Sequence, residues 1–325
     1  MLGRISLPMF AIAALAFSQP VAGQVPRDTT EAHCAAAKAA AGAEHINLYN
    51  RFAEVCGDQP PSAAGAQPRR GGPPPQAVWH HDPVRVFDNL YFIGTKEHSS
   101  WAVQTSDGLI VIDALFDYAV KDEVVDGLRA LGVNPATMKY LIISHGHADH
   151  HGGAKFLQDE FGPRVVMGRR DWDLVEQNKT TPIPKRDMMA ADGQKITLGD
   201  TTLTLYATPG HTAGTFSVVI PVKDNGRPLL LATWGGTAVG RTSSPEAIKD
   251  YINSAVRYRE VLGKLGVEGI VSNHTAYDNS LKKLEALKAR RPNEPHPYLI
   301  GAESVRRYLT VAEELGKAAL ALPRP

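Results

Sequence analysis

Apolar residues recur along this chain at two spacings, one suited to strands and one to helices. Runs rich in β-branched and aromatic residues predict strands over 84–93, 100–104 and 109–112, the last two joined across Ser106-Asp107-Gly108, a hairpin turn signal. A helical spacing covers 121–131, the apolar run Tyr140-Leu141-Ile142-Ile143 predicts another strand, and a helix is expected over 153–161. The second half repeats the theme, with strands over 195–198, 201–206, 215–221 and 228–232. Ser244-Pro245 then opens a helix whose apolar positions are Ile248, Ile252, Ala255, Tyr258, Leu262 and Leu265. A strand over 269–272 and C-terminal helices follow, the last helix carrying Val305, Leu309, Ala312 and Leu315 on one face. Two successive halves of antiparallel strands with intervening helices predict an α/β fold in which two sheets pack together under outer helices. Residues 180–192 are polar and contain proline, and are expected to form a loop able to cover a pocket.

Ahead of this domain, which begins near residue 78, the pattern changes. Residues 1–23 hold one basic residue, Arg4, then an apolar run from Ile5 to Phe17, with small residues Val21 and Gly23 before Gln24. This is the pattern of a cleaved secretory signal peptide; the alternative, a membrane anchor, would need about 20 apolar residues and no Pro8. Residues 31–56 are rich in Ala, Leu, Glu and Lys and predict helix, with Gly42 as the break. One continuous helix would hold Cys34 and Cys56 about 33 Å apart, whereas a hairpin folded at Gly42 brings them within disulfide reach. The segment 24–57 is therefore expected to be a helical hairpin with a Cys34 to Cys56 disulfide, the alternative being two buried thiols. Residues 58–77 are dominated by Pro, Gly, Ala and Arg and predict a linker.

Composition narrows the chemistry. The 325 residues are 43% hydrophobic and 21% charged, as in an ordinary globular protein, and 35 Lys+Arg against 34 Asp+Glu leave no electrostatic footprint for nucleic acid. With only two cysteines and no CxxC, any metal chemistry must come from histidines and carboxylates. No later run is long and apolar enough to span a membrane, so the mature protein is expected to be soluble in an oxidising compartment, periplasmic or secreted.

Four of the 12 histidines fall within seven residues, His145, His147, His150 and His151, in the run ISHGHADHHGG. Such clustering points to metal binding. His145 and His147 leave the end of an apolar strand, where alternate residues share a face and can hold one ion. Asp149 and His150 break that alternation and can turn toward a second. His211 in ATPGHTAGT and His274 in VSNHTAY lie in similar settings at the ends of predicted strands. His33, His45, His80, His81 and His296 read as structural surface histidines, and His98 and His151 as candidate pocket residues outside the six.

These residues carry a family resemblance. HGHADH resembles the His-x-His-x-Asp-His signature of the metallo-β-lactamase superfamily, GHTAG and SNH resemble its later ligand motifs in order, and YFIGTKEHSSWAVQTSDGLIVID resembles its opening strands. The similarity runs from about residue 84 to 278. It implies an αββα sandwich, here with an N-terminal helical appendage, and a catalytic domain spanning 78–325. It also implies two zinc ions per chain: His145, His147 and His211 would bind the first, Asp149, His150 and His274 the second, and Asp113 would fix a ligand from behind. The arrangement resembles the third subclass of class B β-lactamases. Between Asp224 and Asp250 there is no Asp or Cys, unlike the bridging Asp of glyoxalase II-like and lactonase-like members or the Cys of the first lactamase subclass. The chain also departs from the third subclass, because Trp234, Gly235 and Gly236 stand where that subclass places serines for the substrate carboxylate, with Thr237 the nearest hydroxyl.

The expected function is an exported dizinc hydrolase opening a cyclic amide of a small-molecule substrate, with a lactone or other ester hydrolase as the rival. Asp149 would bind metal and orient the nucleophile, and Tyr277 either donates to the oxyanion or simply packs. Arg241 or Lys185 would take over carboxylate binding. A nucleic-acid-processing role is disfavoured by the balanced charge, and a storage role by ligand sets of three, which leave each metal open.

Overall fold

The computed structural model describes residues 28–57, 73–178 and 181–323. The expected signal peptide and most of the expected linker lie outside the described residues. Among the described residues, twelve strands form two sheets. The first runs in spatial order β1 (Val84–Phe87), β2 (Leu90–Phe92), β3 (Trp101–Thr105), β4 (Gly108–Ile112), β5 (Met138–Ile142), β6 (Arg164–Gly168) and β7 (Met188–Ala190), antiparallel as far as β4 and parallel from there. The second runs β12 (Gly269–Ser272), β11 (Arg227–Trp234), β10 (Phe216–Asp224), β9 (Thr201–Ala207) and β8 (Lys195–Leu198), antiparallel except for the β11/β12 pair.

Strand side chains alternate between faces, and that alternation builds three apolar layers. Trp101 and Val103 of β3, Ile110 and Ile112 of β4 and Ile142 of β5 meet Phe216, Val218, Ile220, Leu231 and Val271 in the layer between the sheets. The intervening residues, Ala102, Leu109, Val111 and Leu141, face helices α5 (Asp126–Ala130), α7 (Ala154–Phe161) and α8 (Arg169–Gln177), and the single turn α6 (Ala148–His151) lies between β5 and α7 in the chain. On the opposite face Val219, Ala232, Trp234 and Ile270 pack under α9 (Pro245–Leu265) and α11 (Ala302–Ala321). The result is an α-β-β-α sandwich. The helix α10 (Ser280–Ala289) follows β12.

The N-terminal segment forms α1 (Thr30–Ala41), α2 (Ile46–Asn50) and α3 (Ala53–Cys56), and α4 (Gln76–Trp79) begins inside the stretch read as linker. Cys34 and Cys56 form a disulfide. Cys34, Ala37, Leu48, Phe52 and Val55 share one buried cluster with Tyr251, Tyr308 and Leu315, so these helices complete the outer layer over α9 and α11.

Three local expectations change. Residues 84–93 are a hairpin and not one strand, because Asp88 and Asn89 turn the chain and bond to the β10–β11 hairpin, Gly226 N donating to Asp88 and Lys223 N to Asn89. Residues 188–190, expected in a covering loop, add to β6 as an edge strand, and Trp172 donates to Met188 O there. His45 and His296, read as surface residues, are buried: His45 Nε2 donates to Ser304 O, and His296 stacks on Phe87 and donates to Val86 O.

Candidate metal centre

The histidine-rich run begins where β5 ends. Strand geometry stops at Ile142, so His145 and His147 sit in the turn beyond it, and Asp149 and His150 lie in the single turn of α6. The strand alternation expected for His145 and His147 is therefore replaced by a turn-to-helix transition, driven by Asp113. That residue adopts a left-handed backbone (φ 62°), and its buried carboxylate accepts from Ser144 N (2.7 Å), Ser144 Oγ (2.8 Å) and His150 Nδ1 (2.9 Å). His211 follows Gly210, whose φ of 137° and close approach to the Tyr251 backbone exclude any side chain. His274 follows β12.

The fold brings the six predicted ligands from three segments of chain to one edge of the sandwich, in two adjacent groups. Donor atoms of His145, His147 and His211 all lie within 4.8 Å of one another, with His211 Nε2 3.1 Å from His147 Nδ1. Beside them, Asp149 Oδ2 is 3.1 Å from His150 Nε2 and 3.4 Å from His274 Nε2, and the His145 and His150 rings are 4.1 Å apart. His98, outside the six predicted residues, lies 3.5 Å from the same Asp149 oxygen. His151 is fully buried, and neither ring nitrogen has a partner among the described residues.

The donors suit a cation. His145 Nδ1 donates to Gly235 O (2.8 Å) and His211 Nδ1 to Ala238 O (2.5 Å), which leaves each Nε2 as a lone-pair donor. His145 Nε2 is buried and has no hydrogen-bond partner, the state expected of a metal-facing imidazole nitrogen. Burial, and next the surrounding histidines, hold His145 and His274 well below the usual imidazole range and bring His147 down to about 4. His150 differs. Burial opposes its charged form, but the Asp149 and Asp113 carboxylates beside it outweigh burial and raise it to about 10.

One feature of the site had no signal in the sequence pattern. Asp171, at the start of α8, accepts from Gly146 N (2.8 Å), Thr212 Oγ1 (2.6 Å) and Gly214 N (3.0 Å), clamping the His145/His147 turn to the His211 loop. Trp234 is not a pocket residue: it ends β11 fully buried, with Nε1 3.3 Å from Tyr251 Oη. Gly235 and Gly236 follow because a Cβ would come within 1.8 Å of Phe216 O and 2.3 Å of His211 Cβ respectively.

Residues 93–224 match the metallo-beta-lactamase superfamily. The chain carries a metallo-β-lactamase superfamily domain. Among solved structures the fold is similar to BJP-1, a subclass B3 metallo-beta-lactamase of Bradyrhizobium japonicum, at 26% identity, covering 72% of this chain and 91% of that one with a TM-score of 0.62. It also resembles the FEZ-1 metallo-beta-lactamase of Legionella gormanii in fold, at 22% identity over 70% of this chain and 91% of that one, TM-score 0.62. Curated relatives of this metallo-β-lactamase domain include a hydroxyacylglutathione hydrolase of Crocosphaera subtropica, 30% identical over 34% of this chain and 40% of its own length. Another is the N-acyl homoserine lactonase AttM of Agrobacterium fabrum, 32% identical over 37% of this chain and half of its own length. The chain thus spans half or less of the curated relatives just named.

Tyr277 sits with its ring 5.5 Å from that of His274, and burial pushes its hydroxyl pKa up, with the Thr237 side chain and Arg51 opposing. Arg241 Nε donates to Glu54 O on α3, and Lys185 is exposed with its backbone N bonded to Gln158. Arg51, in the turn between α2 and α3, holds its guanidinium 5.8 Å from the Tyr277 ring centroid.

Proposed function

We propose that the chain is an exported dizinc hydrolase that opens a cyclic amide, in the manner of a β-lactamase. The observation that carries this reading is the orphaned Nε2 of buried His145 facing two other histidines, beside a second group built on Asp149. His145, His147 and His211 would hold the first ion, and Asp149, His150 and His274 the second. Bound zinc would supply Lewis acidity and bring the pKa of a water molecule toward about 7, giving a nucleophile at neutral pH.

The chain's own residues do the positioning. Gly235 O, Ala238 O and the Asp113 carboxylate fix the orientation and tautomer of His145, His211 and His150. Asp149, its acidity strengthened by His150 against the opposing effect of burial, stays ionised and orients the attacking water. Tyr277 lies against His274, where its hydroxyl donates to the developing oxyanion. A substrate carboxylate pairs with Arg51, since Arg241 is engaged with Glu54.

The lactonase relative favours a second reading, hydrolysis of a lactone or other ester at the same centre. Export is supported by the Cys34–Cys56 disulfide, which persists in oxidising compartments, and among the described residues no helix is long and apolar enough to cross a membrane. The test is a hydrolysis screen of zinc-loaded protein on a penicillin, a cephalosporin, a carbapenem, a lactone and a thioester. Lactam opening supports the proposal. Lactone or thioester cleavage with all lactams intact moves the chain to the ester reading, and no turnover with no zinc retained rejects both.

A further inference from the structure

The second group of donors contains one histidine more than the ligand set requires. His98 Nε2 lies 3.5 Å from Asp149 Oδ2, and His150 and His274 lie 3.1 and 3.4 Å from that same oxygen. Donor atoms of His98, Asp149 and His274 are mutually within 4.8 Å. Two atoms bound to one zinc at about 2.1 Å sit roughly 3.4 Å apart in a tetrahedral arrangement, so His98 keeps the spacing of a ligand.

The backbone places His98 there deliberately. Thr95 Oγ1 accepts from the N–H groups of Glu97 and His98, and Thr95 N donates to His98 O, closing a tight turn. That turn is bonded to the loop carrying His274 itself: His98 and His274 form an isolated antiparallel bridge, Ser99 N donates to Asn273 O and Thr275 N to Glu97 O. Gly94 makes room, since a Cβ there would meet His98 O at 2.5 Å. The His98 ring is largely buried, set edge-on against Phe116, which stacks on Tyr118. The ring is thus held on one side by aromatics and directed at Asp149 on the other.

We propose that His98 is an additional protein ligand of the second metal, joining Asp149, His150 and His274. The proposal rests on the reading of those three residues as holders of a second ion. Four protein ligands close a site that three leave open, so the second ion binds more tightly and keeps fewer exchangeable positions than in a three-ligand site.

The test uses the disulfide-bonded full chain, stripped with chelator and reloaded with zinc or cobalt(II). Wild-type protein is expected to take two ions. In the cobalt(II) form, exchangeable N–H signals displaced by the metal should come from six histidines in wild type and five in both His98→Ala and His98→Phe, the second variant preserving a ring against Phe116. Competition with a chromophoric chelator should show second-site zinc affinity falling roughly 100-fold in both variants while the first site changes little, because even indirect partners of metal ligands are worth about 10- to 100-fold. Five displaced signals in wild type, or variants that keep second-site affinity within about threefold, overturn the proposal. A drop in affinity without loss of a signal also overturns it, making His98 a positioning residue only. Wild-type protein that takes a single ion instead rejects the dizinc reading on which the proposal stands, an outcome separable from the others by metal content alone.

Discussion

Removing the Asp171 carboxylate should loosen the first metal site although Asp171 touches no metal ligand directly. Its two oxygens satisfy Gly146 N and Gly214 N, both buried in the contact between the His145/His147 turn and the His211 loop, and also accept from Thr212 Oγ1. In Asp171→Ala the threonine keeps its bond to Thr215 Oγ1, at 2.7 Å, but the two backbone donors lose their partner. A buried donor left unsatisfied costs about 1–3 kcal/mol, so two cost about 2–6 kcal/mol. Burial raises the Asp171 pKa, showing that the carboxylate itself is held there against desolvation, and relief of that cost puts the net loss of stability nearer the lower bound. Freed of the clamp, His145, His147 and His211 are no longer held in one register. Outer partners of this kind typically contribute roughly 10- to 100-fold to metal affinity. Asp171→Asn should fall between wild type and Asp171→Ala, since one oxygen survives and the amide group opposes a donor. Gly214→Ala should act in the same direction, because its Cβ would meet Asp171 Oδ1 at 2.7 Å. Chelator competition for the first zinc, with thermal melts of metal-free protein as control, measures both quantities. If Asp171→Ala binds its first zinc within twofold of wild type, the clamp is purely structural and the reasoning fails.

Replacing Cys34 and Cys56 together by serine should cost about 3 kcal/mol in urea denaturation, from the closure entropy of a loop with sequence separation 22; an unchanged midpoint would show that packing against α11 alone fixes the segment. Burial brings His45 down to about 4 from 6.5, with Glu44 opposing and Arg307 and Lys283 reinforcing, so its contribution is whole above about pH 6.5 and lost as pH falls toward 4. Wild type should therefore lose about 2.5 kcal/mol more than His45→Gln between pH 7 and 4.5, and parallel acid profiles would contradict this. Arg51→Ala should raise KM for a carboxylate-bearing substrate about 10-fold with little change for a neutral lactone, and Arg241→Ala should do neither; the reverse pattern in steady-state kinetics would return the role to Arg241.

The sandwich was legible where periodicity is strong. Strands β3, β4, β9 and β10 and the long helices α9 and α11 each carry enough alternating or helical positions to declare themselves. Edge and connecting pieces were not: RVVMG of β6 is a short apolar run with no alternation, and Met188–Ala190 becomes a strand only because β6 lies beside it. The 84–93 run looked continuous because the residues that break it, Asp88 and Asn89, turn by bonding to a hairpin more than 130 positions away.

The centre divides along a similar line. Ligands crowded into ISHGHADHH were visible because coordination demands particular residue types at short spacing. His98 reads from sequence only as a candidate pocket residue and Asp171 not at all, since each is a single residue whose partners, His274 and Gly214, come from distant strand ends. The same limit affected the reading of Gly235 and Gly236. From sequence they marked missing hydroxyls, an absence on the substrate side. In the fold they are dictated from the metal side: Gly235 O must reach His145 Nδ1 while its Cα passes Phe216 O, and Gly236 must pass His211 Cβ, so neither position has room for serine. A hydroxyl-bearing carboxylate site cannot be restored there without displacing a proposed ligand. An anionic substrate would then need a cation bordering Tyr277 from outside, the role proposed above for Arg51, 5.8 Å from the Tyr277 ring on the disulfide-closed N-terminal segment. On this argument the segment completes the substrate side of the centre as well as covering α9 and α11.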